Sequence, residues 1–105
     1  MSEEEDAENI LEARRKYVRG DIKDEGGGYR SLVGCACGPV AYIELPEGHP
    51  DIGRSYDDLD PDVNGGLTYA RGRVFGWDYA HFDNDFNISQ HIENALKYFR
   101  ARAKP

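Results

Sequence analysis

Residues 88–102 carry Ile88, Ile92, Ala95, Leu96 and Phe99 at the i, i+4, i+7, i+8, i+11 spacing of one helix face. Asn87 and Gln90 offer a capping-box start, and Lys97, Arg100, Arg102 and Lys104 gather at the end, where cations suit the helix dipole. A second helix is predicted over 4–19. Its stripe is Ala7, Ile10, Leu11, Arg14, Tyr17 and Val18, with acids at the start, bases at the end and Gly20 as a stop.

Between the helices the period changes to that of strands. Residues 30–37 read as a first strand. Residues 39–45 read as a better one, with Ala41, Ile43 and Leu45 alternating with Val40, Tyr42 and Glu44 to give one apolar face. Residues 66–70 and 73–79 form a hairpin about Arg71-Gly72. Leu67 and Tyr69 share one face there, and Phe75, Trp77 and Tyr79 another. The polar run 21–28, ending in three glycines, reads as a flexible connection. Residues 46–65 read as a long loop, of the kind that is functional or mobile. The order helix, sheet, helix with short connections predicts a single α+β domain over 1–105. Its small, mostly antiparallel sheet is flanked by an N-terminal and a C-terminal amphipathic helix, both on one face. Such a plan leaves a sheet face open for a homodimer.

Composition narrows the function. The net charge of −7 argues against direct binding to nucleic acid or to an anionic membrane, both of which call for basic surface. No stretch approaches the roughly 18 apolar residues of a membrane span. The acidic start Met1-Ser-Glu-Glu-Glu-Asp is the opposite of a signal peptide, so a cytoplasmic protein is expected. Seven Tyr, four Phe and one Trp supply much of the core. Cys35 and Cys37 have strand spacing toward one face, too strained for a mutual disulfide; a zinc site lacks a second Cys pair and would need His49 and His81 to complete it.

Polar groups with chemical potential concentrate between residues 47 and 85. Asp60, Asp62, Asn64 and Gly65 match the opening of a calcium loop, but position twelve is Arg71 where a bidentate Glu belongs. A turn whose side chains bond their own backbone explains the same residues. The run from Asp78 to Asp83 combines two carboxylates with His81, and His49 is held between Gly48 and Pro50. Nucleophile-elbow and phosphate-loop signatures are absent. No catalytic residue is assigned.

The blocks Pro46-Glu-Gly-His-Pro50, Ser55-Tyr-Asp-Asp-Leu59, Val63-Asn-Gly-Gly-Leu-Thr-Tyr69 and Phe75-Gly-Trp-Asp-Tyr-Ala-His81 resemble a group of small phage- or prophage-encoded proteins without an established activity. The resemblance covers about residues 34–85. It implies a setting, the cytosol of a bacterial host, and nominates His49, Asp57, Asp58, Asp78 and His81. The group's pattern has His before Gly-Gly, where this chain has Asn64, which favours binding over catalysis.

Three functions compete. The first is a small acidic accessory protein that binds a host protein, for instance a defence-system component, or a small ligand. Its surface would draw on His49, Asp57, Asp58, Asn64, Tyr69, Trp77, Asp78 and His81, with Tyr69 and Trp77 essential. A narrower form is a DNA mimic using Asp57, Asp58, Asp60, Asp62, Asp83 and Asp85. The second is a metal-dependent hydrolase gathering His49, Asn64, Asp78 and His81, with Asp58 or Asp83 adding charge. A divalent metal enters only with that reading or with the calcium loop; otherwise no cofactor is expected. The third is an interaction domain with no small-molecule site.

Overall fold

The computed structural model describes residues 9–17, 19–35, 38–79 and 85–103. In chain order these form α1 (Ile10–Tyr17), β1 (Arg19–Gly26), β2 (Tyr29–Cys35), β3 (Pro39–Glu44), a 3-10 turn (Tyr56–Asp58), β4 (Tyr69–Arg71), β5 (Val74–Asp78) and α2 (Asp85–Arg102). The five strands make one sheet in the order β1-β2-β3-β5-β4, every neighbouring pair antiparallel. The α+β class read from the periodicities is the class observed. Among the described residues no helix is long and apolar enough to cross a membrane.

The helices differ from expectation in placement. They lie on opposite faces of the sheet, because β3 is apolar on both. Ala41 and Ile43, with Leu45, Phe75, Trp77 and Tyr79, pack under Ile88, Ile92, Ala95, Leu96 and Phe99 of α2. Val40 and Tyr42, with Leu32 and Val74, pack under Ile10 and Ala13 of α1. Full burial of a side chain such as Phe99 or Ile10 is worth about 1.5–3 kcal/mol. Both faces are therefore core, and neither is free as a whole.

The stripe predicted for α1 is also rotated. Ile10 and Ala13 are buried, while Leu11 is 48% exposed. Asn9 begins the helix, its side-chain oxygen accepting from the Glu12 N–H at 2.9 Å. Residues 4–8 of the predicted helix and residue 18 fall outside the described residues, and Arg19 and Gly20 belong to β1 rather than to the helix end. Helix α2 starts at Asp85, so Asn87 lies within it.

The segment read as a flexible connection is the edge strand β1. Its polarity is that of an edge strand with one face toward solvent. Gly27 and Gly28 close the β1–β2 hairpin with φ of 65° and 90°, as a two-residue turn of positive φ requires. The long loop after β3 is a packed layer. Leu59, Val63 and Leu67 join the core under α2. Leu67 thus lies on the α2 side, whereas Tyr69 packs with the α1-side cluster.

Gly76 sits in β5, opposite Tyr42 of β3 on one side and Tyr69 of β4 on the other. The two rings meet edge to face over it at 5.3 Å, and a β-carbon there would come within 2.5 Å of the Tyr42 ring. Gly76→Ala is therefore expected to cost about 1–3 kcal/mol through displacement of Tyr42. Urea denaturation checks this; an unchanged midpoint would show that the rings move aside freely.

Candidate functional site

His49 is buried. Its Nε2–H donates to the Phe99 carbonyl at 2.8 Å and its Nδ1 accepts from the Asp51 N–H at 3.0 Å. Since a carbonyl can only accept and an amide can only donate, these partners select the neutral Nε2–H tautomer. The ring stands edge-on to Phe99 and Tyr29, at 5.9 and 6.3 Å. Burial pushes the Tyr29 phenol up, against the opposing charge of Arg100 over its ring. His49 thus holds the loop onto α2, and both ring nitrogens are engaged.

Asp51, two residues on, completes this clamp. It is buried and takes hydrogen bonds from Arg102 at 2.7 and 3.0 Å, with Arg54 3.7 Å away. Burial alone would raise its carboxyl. The hydrogen bonds and charge of Arg102, with the charge of Arg54, outweigh burial and hold it below the ordinary carboxylate range.

A second clamp stands on the α1 side. Glu44, 0% exposed, takes bonds from Arg30 at 2.6 and 3.0 Å and from the Ile10 N–H at 3.0 Å, with Arg73 at 3.8 Å. One carboxylate therefore pins β2 to β3 and caps the start of α1. No motif reading selected Glu44 or Asp51. The available signal was Glu44 itself, a lone charge ending a strand that is otherwise apolar on both faces.

Among the described residues, the remaining nominated ones do not converge on one centre. Trp77 is buried in the core, donating to the Tyr79 hydroxyl at 2.7 Å. That hydroxyl lies 2.8 Å from His91 Nδ1, with the Tyr79 and His91 rings stacked. His91 was not selected from the sequence because it stands in an ordinary helical run. Tyr69 is half-buried on the opposite face from Trp77, so the two cannot share one binding surface. Asp57 and Asp58 are exposed on the 3-10 turn, where Ser55 accepts from the Asp57 N–H. Asn64 and Asp78 do meet: the Asn64 amide donates to the Asp78 carbonyl at 2.9 Å, tying the loop to the end of β5. His81, Asp83 and Cys37 lie outside the described residues. Cys35 is exposed and unbridged.

The calcium-like turn is bound into the fold through its backbone. The Asp60 N–H donates to Tyr98 Oη at 2.8 Å, and the Asp62 carbonyl accepts from Asn94 at 3.0 Å. Among the described residues no group of three or more His, Cys, Asp or Glu side chains is placed to hold a metal ion.

The open concavity lies elsewhere. Helix α2 packs over β3, and part of its side of β1 and β2 stays open beside it. There a groove of about 500 Å³ runs between the strands and the helix. Val33, Ile88 and Ile92 give it an apolar floor and wall, and Ser31 and Ser89 add hydroxyls. Asp21, Glu25 and Glu93 place three carboxylates around it against the single ammonium of Lys23. Glu25 is set by the Ser31 hydroxyl, which donates to it at 2.6 Å, and by Arg100, which donates to its carbonyl at 2.8 Å. A neighbouring hollow of about 530 Å³ shares Glu25 and Glu93 and continues along α2 to Arg100. The sequence reading missed the groove because it treated β1 as a connection.

No protein-family model, no curated protein and no solved structure matches this chain.

Proposed function

We propose that this protein acts by binding, and that the groove between β1–β2 and α2 receives an extended, basic segment of a partner protein. The observation that carries this reading is the open groove itself, which pairs an apolar floor with an excess of carboxylates. From Asp21 to Glu25 the groove follows about 13 Å of strand, and the adjoining hollow lengthens it. An open trough of that kind suits a polypeptide better than a small molecule, which favours enclosure. Lys or Arg side chains would meet Asp21, Glu25 and Glu93, and intervening apolar side chains would meet Val33, Ile88 and Ile92. The resemblance to small phage-encoded proteins supports a host protein as the source of that segment.

The test uses a fluorescent peptide of alternating Lys and Leu, titrated by polarisation. It is expected to bind the wild-type protein and to bind Glu93→Lys at least about tenfold more weakly, a change of about 1.4 kcal/mol. A Glu/Leu peptide should not compete. Equal affinity for the wild type and Glu93→Lys would overturn the groove as the site.

A further inference from the structure

We infer that two copies of this chain associate through the free edge of β1, joining their sheets into one of ten strands. No described strand pairs with the outer edge of β1. It is the longest of the described strands, and an open edge strand is a template for another. What singles out a second copy as the occupant is the order of charges along it: Arg19, Asp21, Lys23 and Glu25, at alternate positions.

Antiparallel pairing of β1 with itself, centred on Ile22, sets Asp21 against the partner's Lys23 and Arg19 against the partner's Glu25. The two-fold axis repeats both pairs, giving four opposite-charge contacts on the α2 side. Ile22, half-buried on the α1 side, meets the partner's Ile22 at the centre. Apolar and opposite-charge cross-strand pairs are each favourable. The neighbouring registers are not. A slide of two residues sets Asp21 against the partner's Asp21 and Arg19 against the partner's Lys23. A slide the other way sets Lys23 against the partner's Lys23 and Asp21 against the partner's Glu25. A slide of one residue sets Ile22 against a charge and turns one copy over. The same charges that guard the edge against other strands therefore admit this one alignment.

The rest of the fold leaves room for it. Helix α1 begins at Glu44 of β3, to which the Ile10 N–H is bonded, and ends just before Arg19. It therefore crosses the sheet diagonally from β3 to β1, its last turn leading directly into the Arg19 end of β1. In the dimer the two Arg19 ends lie about 20 Å apart, so the α1 helices do not collide. Arg100 occupies the carbonyls of Glu25 and Gly26, so the backbone ladder spans Gly20 to Asp24, and Arg19 meets the partner's Glu25 by side chain just beyond it.

A two-fold axis perpendicular to the sheet keeps both α2 helices on one side. Lying over β3 of each copy, they stand about 24 Å apart, five strand spacings. The two grooves then merge into one trough floored by β2, β1 and their counterparts. A single strand pair is a small interface beside the roughly 1,200–2,000 Å² of stable complexes, which sets the expected dissociation constant in the micromolar range.

The experiment is sedimentation of the full chain at low ionic strength, from micromolar to submillimolar concentration. Wild type is expected to dimerise. D21K and K23D should each weaken the dimer at least about tenfold, because each opposes like charges twice, and the exchange D21K/K23D should restore it. Circular dichroism confirms that the variants, altered only at exposed positions, remain folded. A monomeric wild type, single variants that dimerise as wild type does, or a double variant that fails to recover would each overturn the proposal. Titration of the Lys/Leu peptide into the same wild-type samples separates this inference from the binding reading. A monomer that binds the peptide overturns the dimer alone, and a dimer indifferent to the peptide overturns the binding reading alone.

Discussion

Glu44→Gln is expected to lower the stability of this protein by about 3 kcal/mol. The carboxylate is fully buried and faces two guanidinium groups and the first N–H of α1. The amide fills the same volume, so no cavity term enters. It retains one acceptor oxygen, and so it can serve Ile10 or Arg30 but not both fully. Breaking a buried ion pair by removing one partner typically costs about 3–5 kcal/mol, since the other charge is left without its partner. Arg30 and Arg73 keep some contact with water, their side chains being 33% and 19% exposed, and this places the cost at the lower end. For a chain of this size that is a fall in melting temperature of about 12–20 °C. Thermal unfolding followed by circular dichroism reads it directly. A shift of only a few degrees would show that shape at position 44, and not charge, holds α1 and β2 to β3.

Asp51→Asn gives the second large effect, and its pH dependence identifies its cause. At neutral pH the variant loses the paired charge of Arg102 and should be less stable by about 2–3 kcal/mol, Arg102 being partly open to water. The carboxyl is held below its ordinary value in the folded protein. A depressed carboxyl adds stability that is fully present above the unfolded value, near pH 4, and that disappears as pH falls through the folded value. Wild type and Asp51→Asn should therefore differ fully at pH 7 and 5 and converge below about pH 4. Urea midpoints across that range provide the measurement. A gap that stays constant down to the acid limit would mean that Asp51 acts through packing and not through its charge.

The Asp51 clamp explains why the loop from Pro46 to Thr68 behaves as part of the scaffold. His49 and Asp51 fasten its start to the last turn of α2, and Tyr98 and Asn94 fasten its middle. Its polar residues resemble site chemistry in the sequence because buried turns and ligand sites use the same groups. The Gly48-His49-Pro50 turn is the clearest instance. A histidine fixed between Gly and Pro suits a ligand site and a structural staple equally, and only the Phe99 carbonyl against its Nε2 separates the two.

Local periodicity was enough to read α2, β3, β5 and the hairpin before β5, because each depends on spacing within about a dozen residues. The stripe from Ile88 to Phe99 is buried as its spacing requires, and the β4–β5 turn moved by one residue, from Arg71-Gly72 to Gly72-Arg73. Strand β1 was not legible in this way. Its residues are polar because they line an edge and a groove, and a polar run carries the same composition whether it is paired or loose.

Short-range pattern and composition therefore carry the α+β class, the net negative charge and the main apolar stripes. Each of these is set by neighbours a few positions apart or by simple composition. The packed fold alone sets the helices on opposite faces, places Trp77 in the core, and brings Glu44 to Arg30 and Asp51 to Arg102. It also opens the groove between β1 and α2. The physical reason is common to all of them. A buried charge or an open face is defined by what the chain brings to it from 14 to 51 residues away, and no local period encodes that meeting.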